Sequence, residues 1–220
     1  MTYTLDLSNL PTAPTAFDVS KETEELNERL LTRAYAMVAD AERLISQQRQ
    51  RIKMLETLSF TDELTGCVNR RAFEMAMVRE LGMAQRDPNG GGVVIMIDLD
   101  GFKLVNDRFG HAAGDAYLQA VGRFLTGSMR DGDTVARLGG DEFALILPRT
   151  RAVAGQRRAT QLQQQLHATS LSWKDLALPL RASFGTAPFS GGDLATEVLA
   201  RADARLYADK TSRKSGRRSA

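Results

Sequence analysis

From Ser20 to Ser59 the chain runs without a glycine or a proline. No other stretch limits the fold so strongly, because both helix breakers are missing where the apolar residues recur at helical spacing. Leu31, Ala34, Val38, Ala41, Ile45, Gln48, Ile52 and Leu55 alternate at spacings of three and four. They form a heptad a/d seam, widened by Leu30, Met37, Leu44 and Leu58 one position earlier. A helix of ~40 residues is ~60 Å long, more than a domain of this size can cover. The seam is buried either on the chain's own domain or against a second copy. Parallel pairing buries it more simply, so residues 20–60 are expected to form a dimerising coiled-coil stalk. Ser20 suits the N-cap, with Glu22, Glu24 and Glu25 in the first turns where the helix dipole favours acid. Gln48 and the two alanines thin the seam. That predicts a weak or poorly aligned dimer, fixed by a regulatory protein that binds the stalk. Residues 1–19, with two prolines and many small polar residues, are expected to be an irregular arm.

The 220 residues leave room for one full-size domain after the stalk. A net charge of +2 gives no reason to expect DNA or an acidic membrane as the main partner. Cys67 is the single cysteine, so no intrachain disulfide forms, which suits a reducing cytoplasm. The first residues lack the basic-then-apolar layout of a signal peptide. No apolar run approaches the ~18 residues that span a bilayer. The expectation is a cytoplasmic protein without a membrane segment.

From Thr61 onward the pattern is that of one α/β (α+β) domain. Helices are expected over Arg70–Gln85, Ala112–Leu125, Ala152–Ala168 and Thr196–Asp209. Strands are expected over Val93–Ile97, Thr134–Leu138, Phe143–Leu147 and Leu180–Ala187, with a loop at 87–92. Thr134–Leu138 and Phe143–Leu147 flank Gly-Gly-Asp-Glu and read as a hairpin. A mixed or antiparallel central sheet flanked by helices fits better than a doubly wound parallel one. No internal repeat and no P-loop is visible.

The hairpin places Asp141 and Glu142 side by side at its tip. A turn needs glycine but not adjacent acids. A second acidic pair, Asp98 and Asp100, follows the apolar run Val93–Ile97 where a strand end opens to solvent. The two pairs converge if their strands are neighbours. Carboxylates of this kind suit Mg²⁺, which takes one or two of them and completes its shell with water and substrate phosphates. Each pair alone also reads as a polar strand end or an ordinary hairpin tip.

Taken in order, the motifs resemble those of the GGDEF-type diguanylate cyclases. They run Asp62-Glu63-Leu64-Thr65-Gly66, Asn69-Arg70-Arg71, Asp98-Leu99-Asp100-Gly101-Phe102-Lys103, Asn106-Asp107, Gly110-His111 and Gly114-Asp115. Gly139-Gly140-Asp141-Glu142-Phe143, Ser183-Phe184-Gly185 and Ala202-Asp203-Ala204-Arg205-Leu206-Tyr207 complete the set. The resemblance implies a fold like the palm of nucleotidyl cyclases and polymerases. It also implies an active dimer that joins two GTP into cyclic di-GMP with release of two pyrophosphates. The 3′-hydroxyl of one GTP attacks the α-phosphorus of the other, and metal held by carboxylates assists that step.

Carried over residue by residue, Asp98, Asp141 and the Leu99 carbonyl are implied metal ligands. Glu142 supports the second metal or the deprotonation, and the metal is Mg²⁺ or, in its place, Mn²⁺. Asp141, Glu142 and Lys103 are the implied catalytic residues. Gly139 and Gly140 let the backbone pass close to nucleotide. Asp115 is implied to accept from guanine N1–H and the exocyclic amine, and Asn106 to add bonds at N3 and the amine. Gly101, Phe102, Lys103 and Lys210 bind the phosphates, and His111 and Asp62 order loops around the site. Arg130 and Asp133 match an inhibitory R-x-x-D site for cyclic di-GMP. The tail after Lys210 is longer than the family's, so Arg213, Lys214 and Arg217 compete for the next phosphate contact. The alternative to an active cyclase is a silent GGDEF domain that binds GTP or cyclic di-GMP as a receptor. An oligomerising scaffold would leave the intact acids unexplained.

Overall fold

The computed structural model describes residues 16–58, 60–87 and 90–218. The chain divides into two compact units, residues 1–58 and 59–220. In the first, the described residues form one helix, α1 (Ala16–Leu58). It begins ahead of the expected Ser20 cap, since Ala16–Val19 contains no residue that stops a helix. The rest of the expected arm lies outside the described residues. Leu30, Leu31, Met37, Val38, Leu44, Ile45 and Ile52 are all exposed along α1.

In the second unit the order is β1 (Val68–Asn69), α2 (Arg70–Arg86), β2 (Gly92–Leu99), α3 (Phe102–Phe109), α4 (His111–Ser128), β3 (Thr134–Gly139) and β4 (Glu142–Pro148). Then come α5 (Ala152–Ala168), β5 (Ser170–Trp173), β6 (Leu176–Pro179), β7 (Ala182–Phe189) and α6 (Ala195–Arg218). The main sheet has strand order β1-β3-β4-β2-β7, and β5 pairs with β6 apart from it. All pairings are antiparallel except β1 with β3. The sheet is therefore mixed, as the sequence pattern implies.

The alternation of β2 explains the layers. Val93, Ile95, Ile97 and Leu99 share one core with Tyr117, Leu118, Val121 and Leu125 of α4 and Ala159, Leu162 and Leu166 of α5. Val94 and Met96 join Phe73 and Met77 of α2 and Val198 and Ala202 of α6 in a second core. Because a strand points successive side chains to opposite faces, an unbroken apolar run is what a strand covered on both sides requires. Leu138 and Ala136 of β3 and Ala144 and Ile146 of β4 belong to the second core, whereas Phe143, Leu145 and Leu147 belong to the first.

Several elements differ from expectation. β2 starts at Gly92 and continues through Asp98 and Leu99, because both its neighbours keep pairing there: Asp98 faces Glu142 and Ser183, and Leu99 faces Ala182. β7 lies two residues later than expected, since Leu180 leaves the sheet and donates its N–H to Thr169. Helix α3 was not expected. Its Phe102, Val105 and Phe109 pack on the first core at spacings of three and four, while Leu104 is exposed. The β5–β6 hairpin also goes unsignalled, because its turn uses Lys174 at φ 52° in place of a glycine. α6 extends well past Asp209, to Arg218. The helices α1 to α6 that are described include none long and apolar enough to cross a membrane.

Candidate active site

The site forms where β2 ends beside the β3–β4 turn. Gly139 pairs with Glu142, leaving Gly140 and Asp141 as the turn. Gly139 has φ 147° and Gly140 φ 49°, values that side chains with a Cβ resist. No protein atom lies within 4 Å of where either Cβ would stand, so within the chain the need for glycine is conformational. The Leu99 N–H donates to the Asp141 carbonyl at 3.2 Å, which ties the turn to the end of β2. Asp98 and Glu142 are direct partners across the ladder. Residues placed so have side chains on one face, with Cβ atoms about 5 Å apart. The two acidic motifs, far apart in sequence, thus meet.

Lys210 reaches this point from α6. Its Nζ lies 2.7 Å from Asp98 Oδ2. Two contacts bring α6 close enough. A Cβ on Gly185 of β7 would stand 2.2 Å from the Ala202 carbonyl, so only glycine permits the approach. Asp209, next to Lys210, accepts from the Phe184 N–H at 3.1 Å and from Gln163 Nε2 at 2.9 Å. Burial pushes the Asp98 carboxyl above the ordinary carboxylate range, and the negative charges of Asp141 and Asp100 push the same way; Lys210 opposes them. Asp100 turns elsewhere, accepting from Ser183 Oγ at 2.8 Å.

Two arginines support the turn, and sequence reasoning assigned neither a role. Arg137 donates through Nε and Nη2 to the Gly140 carbonyl, at 3.1 and 2.8 Å. Its Nη1 meets both oxygens of Asp62 at 3.2 Å. Asp62 in turn accepts from the Thr65 N–H and hydroxyl at 2.9 and 2.6 Å. Burial alone would raise the Asp62 carboxyl, but the Thr65 and Arg137 bonds outweigh it and hold it below the ordinary range. Asp62 therefore does order the site's loops, through Arg137. Arg70 donates from Nε to the Leu138 carbonyl at 2.9 Å and from Nη2 to Glu142 Oε2 at 3.4 Å. The signal for both was present in their position at the hairpin and after the Asn69 cap, but Leu138 lies 68 residues from Arg70 and Asp62 lies 75 from Arg137.

The nucleotide-reading candidates occupy the next two helices. Gly101, at φ 74°, is the N-cap of α3 and its carbonyl accepts from the Leu104 N–H at 2.9 Å. The amides ahead of Leu104 are those that a helix start offers to phosphate. Phe102 packs on the core with its ring 6.1 Å from that of Tyr117, and Lys103 is exposed. Asn106 is half-buried on α3, and Asp115 is exposed on α4.

Arg130 and Asp133 lie at the opposite end of the β3–β4 hairpin. Arg130 Nε donates to Asp133 Oδ1 at 3.1 Å, and its Nη2 donates to the Pro148 carbonyl at 2.8 Å and to Thr150 Oγ1 at 3.1 Å. The Asp133 side chain is 6% exposed and that of Arg130 62%. The side chains of Arg213, Lys214 and Arg217 lie outside the described residues.

Among the described residues, no three His, Cys, Asp or Glu side chains form a ready-made metal cluster. The donors present suit a hard cation that brings water and phosphate oxygens with it: carboxylates from two adjacent strands, with the Leu99 backbone between. The Lys210 ammonium on Asp98 marks that carboxylate as one already offered to a cation.

The class this defines is an α/β domain whose mixed sheet, flanked by helices, sets a carboxylate-bearing turn beside a strand-end acid. The family model for the diguanylate cyclase GGDEF domain matches residues 59–216, and the chain belongs to that family. It is 36% identical over 183 residues to the diguanylate cyclase DgcP of Pseudomonas aeruginosa. That alignment covers 82% of this chain but only 26% of the relative. Among solved structures, the diguanylate cyclase SiaD of Pseudomonas aeruginosa in complex with its activator SiaC has a TM-score of 0.67 at 29% identity. The similarity covers 90% of this chain and 75% of that one. The coiled coil and GGDEF domain of DgcB from Caulobacter crescentus, in complex with c-di-GMP, has a TM-score of 0.66 at 27% identity and covers 80% and 94%.

Proposed function

We propose that the chain is an active diguanylate cyclase, converting two GTP into cyclic di-GMP and two pyrophosphates, in the cytoplasm where GTP is held. The observation that carries this reading is the direct pairing of Asp98 with Glu142, beside a turn that presents Asp141. Asp98, Asp141 and the Leu99 carbonyl would hold Mg²⁺ or Mn²⁺, with Glu142 in support. Such an ion neutralises triphosphate charge and lowers the pKa of the attacking hydroxyl. Asn106 and Asp115 orient guanine. Lys103, Lys210 and the amides at Gly101 and Phe102 take the phosphates, and Lys210 exchanges Asp98 for a phosphate as substrate binds.

Each domain binds one GTP, so product requires two domains face to face. The exposed apolar stripe of α1 supports pairing of residues 20–60 as a homodimer. Similarity to a cyclase that has a protein activator supports a regulatory protein for this chain as well. Arg130 and Asp133 form the feedback site for cyclic di-GMP.

Purified protein incubated with GTP and Mg²⁺ is expected to form cyclic di-GMP, with loss of activity when residues 1–58 are removed. GTP bound but never turned over, at any concentration or with any stalk partner, would overturn the proposal in favour of a receptor.

A further inference from the structure

We infer that Gly114 is a positioning residue for guanine selection, acting through Asn106; this rests on the reading of Asn106 as a guanine ligand. Asn106 is fixed at its backbone, where its carbonyl accepts from the Gly110 N–H at 2.9 Å at the close of α3. Gly110, at φ 83°, then turns the chain directly into α4. That tight corner lays the end of α3 against the first turn of α4. The Asn106 amide comes to rest on the buried Gly114.

The fit leaves no room. A Cβ on Gly114 would stand 1.9 Å from Asn106 Oδ1, 2.9 Å from its Cγ and 3.3 Å from Phe102 Cζ. The atom in the way is the far end of a side chain, which can swing, and not backbone, which cannot. A methyl group here therefore leaves the helices in place and displaces the amide. Alanine also suits a helix interior better than glycine. The requirement for glycine at 114 comes from the amide's position and not from folding.

Asp115 follows at once, so Gly114 lies between the two groups assigned to the base. Displacing the Asn106 amide removes its bonds to N3 and the exocyclic amine while Asp115 stays where it was. The consequence is a loss of selectivity confined to the guanine edge.

The test compares Gly114→Ala, Asn106→Ala and the double variant in the full chain. The substrates are GTP and inosine triphosphate, which lacks the exocyclic amine. Both single variants are expected to raise KM for GTP about 10-fold, the worth of one or two hydrogen bonds, with a much smaller change in kcat. Both should narrow the preference for GTP over inosine triphosphate. The double variant should be no worse than Asn106→Ala alone, since the methyl then meets no amide. Thermal melting of Gly114→Ala should match or exceed that of the wild type. An impaired Asn106→Ala beside an unaffected Gly114→Ala sinks the inference alone, as do additive losses or a lowered melting temperature. An Asn106→Ala variant with unchanged KM and preference sinks both the inference and the reading beneath it.

Discussion

The two ends of the β3–β4 hairpin carry opposite kinds of polar structure. β4 is seven residues long, so the ends lie roughly 24 Å apart. At the open end, Arg130 and Asp133 are three residues apart, and Arg130 is bound by Asp133, Pro148 and Thr150. At the turn end, Asp141 and Glu142 are held from a distance, by Asp62 through Arg137, by Arg70 and by the end of β2. The open end is a local motif that closes on itself. The turn end is assembled by four separate parts of the chain, so its chemistry depends on all of them.

The contrast is broken most severely at the acids. Asp98→Asn or Asp141→Asn is expected to reduce cyclic di-GMP formation by more than the ~10–100-fold typical of residues one step removed from a metal. Circular dichroism should stay unchanged, because neither side chain belongs to a core. Equal loss of fold would mean that these acids hold the hairpin and not the reaction.

Arg137→Ala probes the support of the same end. Without its fork the Gly140 carbonyl loses two donors and Asp62 its cation. A ~10–100-fold fall in kcat is expected, with KM for GTP nearly constant. Arg137→Lys should recover only part of it, since lysine lacks the planar fork. A variant with wild-type kcat would remove Arg137 from the account.

At the open end the effect should be smaller and of another kind. Arg130→Ala is expected to leave initial rates unchanged while weakening inhibition by added cyclic di-GMP about 10-fold or more, through loss of charge-assisted bonds. A parallel fall in initial rate would show that the two ends are not independent.

The smallest effect is on stability against pH. The Asp62 carboxyl is held below the ordinary range by Thr65 and Arg137, against its burial. The ionised form is therefore favoured by folding, and its contribution is fully present above the unfolded value. It is lost as pH falls through the lower folded value. Asp62→Asn should cost on the order of 1–2 kcal/mol at neutral pH. The gap to the wild type should narrow as pH falls below the unfolded carboxylate value and close once it has passed the lower folded one. A gap that stays constant down to acid pH would assign the loss to packing.

What the sequence made legible follows the same division. The hairpin, the R-x-x-D pair, α2, α5 and β2 were readable because each rests on neighbours within a few positions. α3 escaped because eight residues are too few for a clear period, although Phe102, Val105 and Phe109 carried it. The β5–β6 hairpin escaped because Lys174 adopts a conformation expected of glycine. The roles of Arg70 and Arg137 escaped because Arg70 reaches Leu138 and Glu142, and Arg137 reaches Asp62, across 68 to 75 residues.

By itself, the order of residues determined the domain's family, the sheet's covered central strand and the identity of the acids, since these depend on short-range pattern and on residue type. Only the tertiary structure decided that Asp98 faces Glu142, that Lys210 lies on Asp98, and that Gly114 makes room for Asn106. Strand register and helix approach set those contacts to within a few ångströms. Both depend on how whole faces pack, which no local spacing encodes.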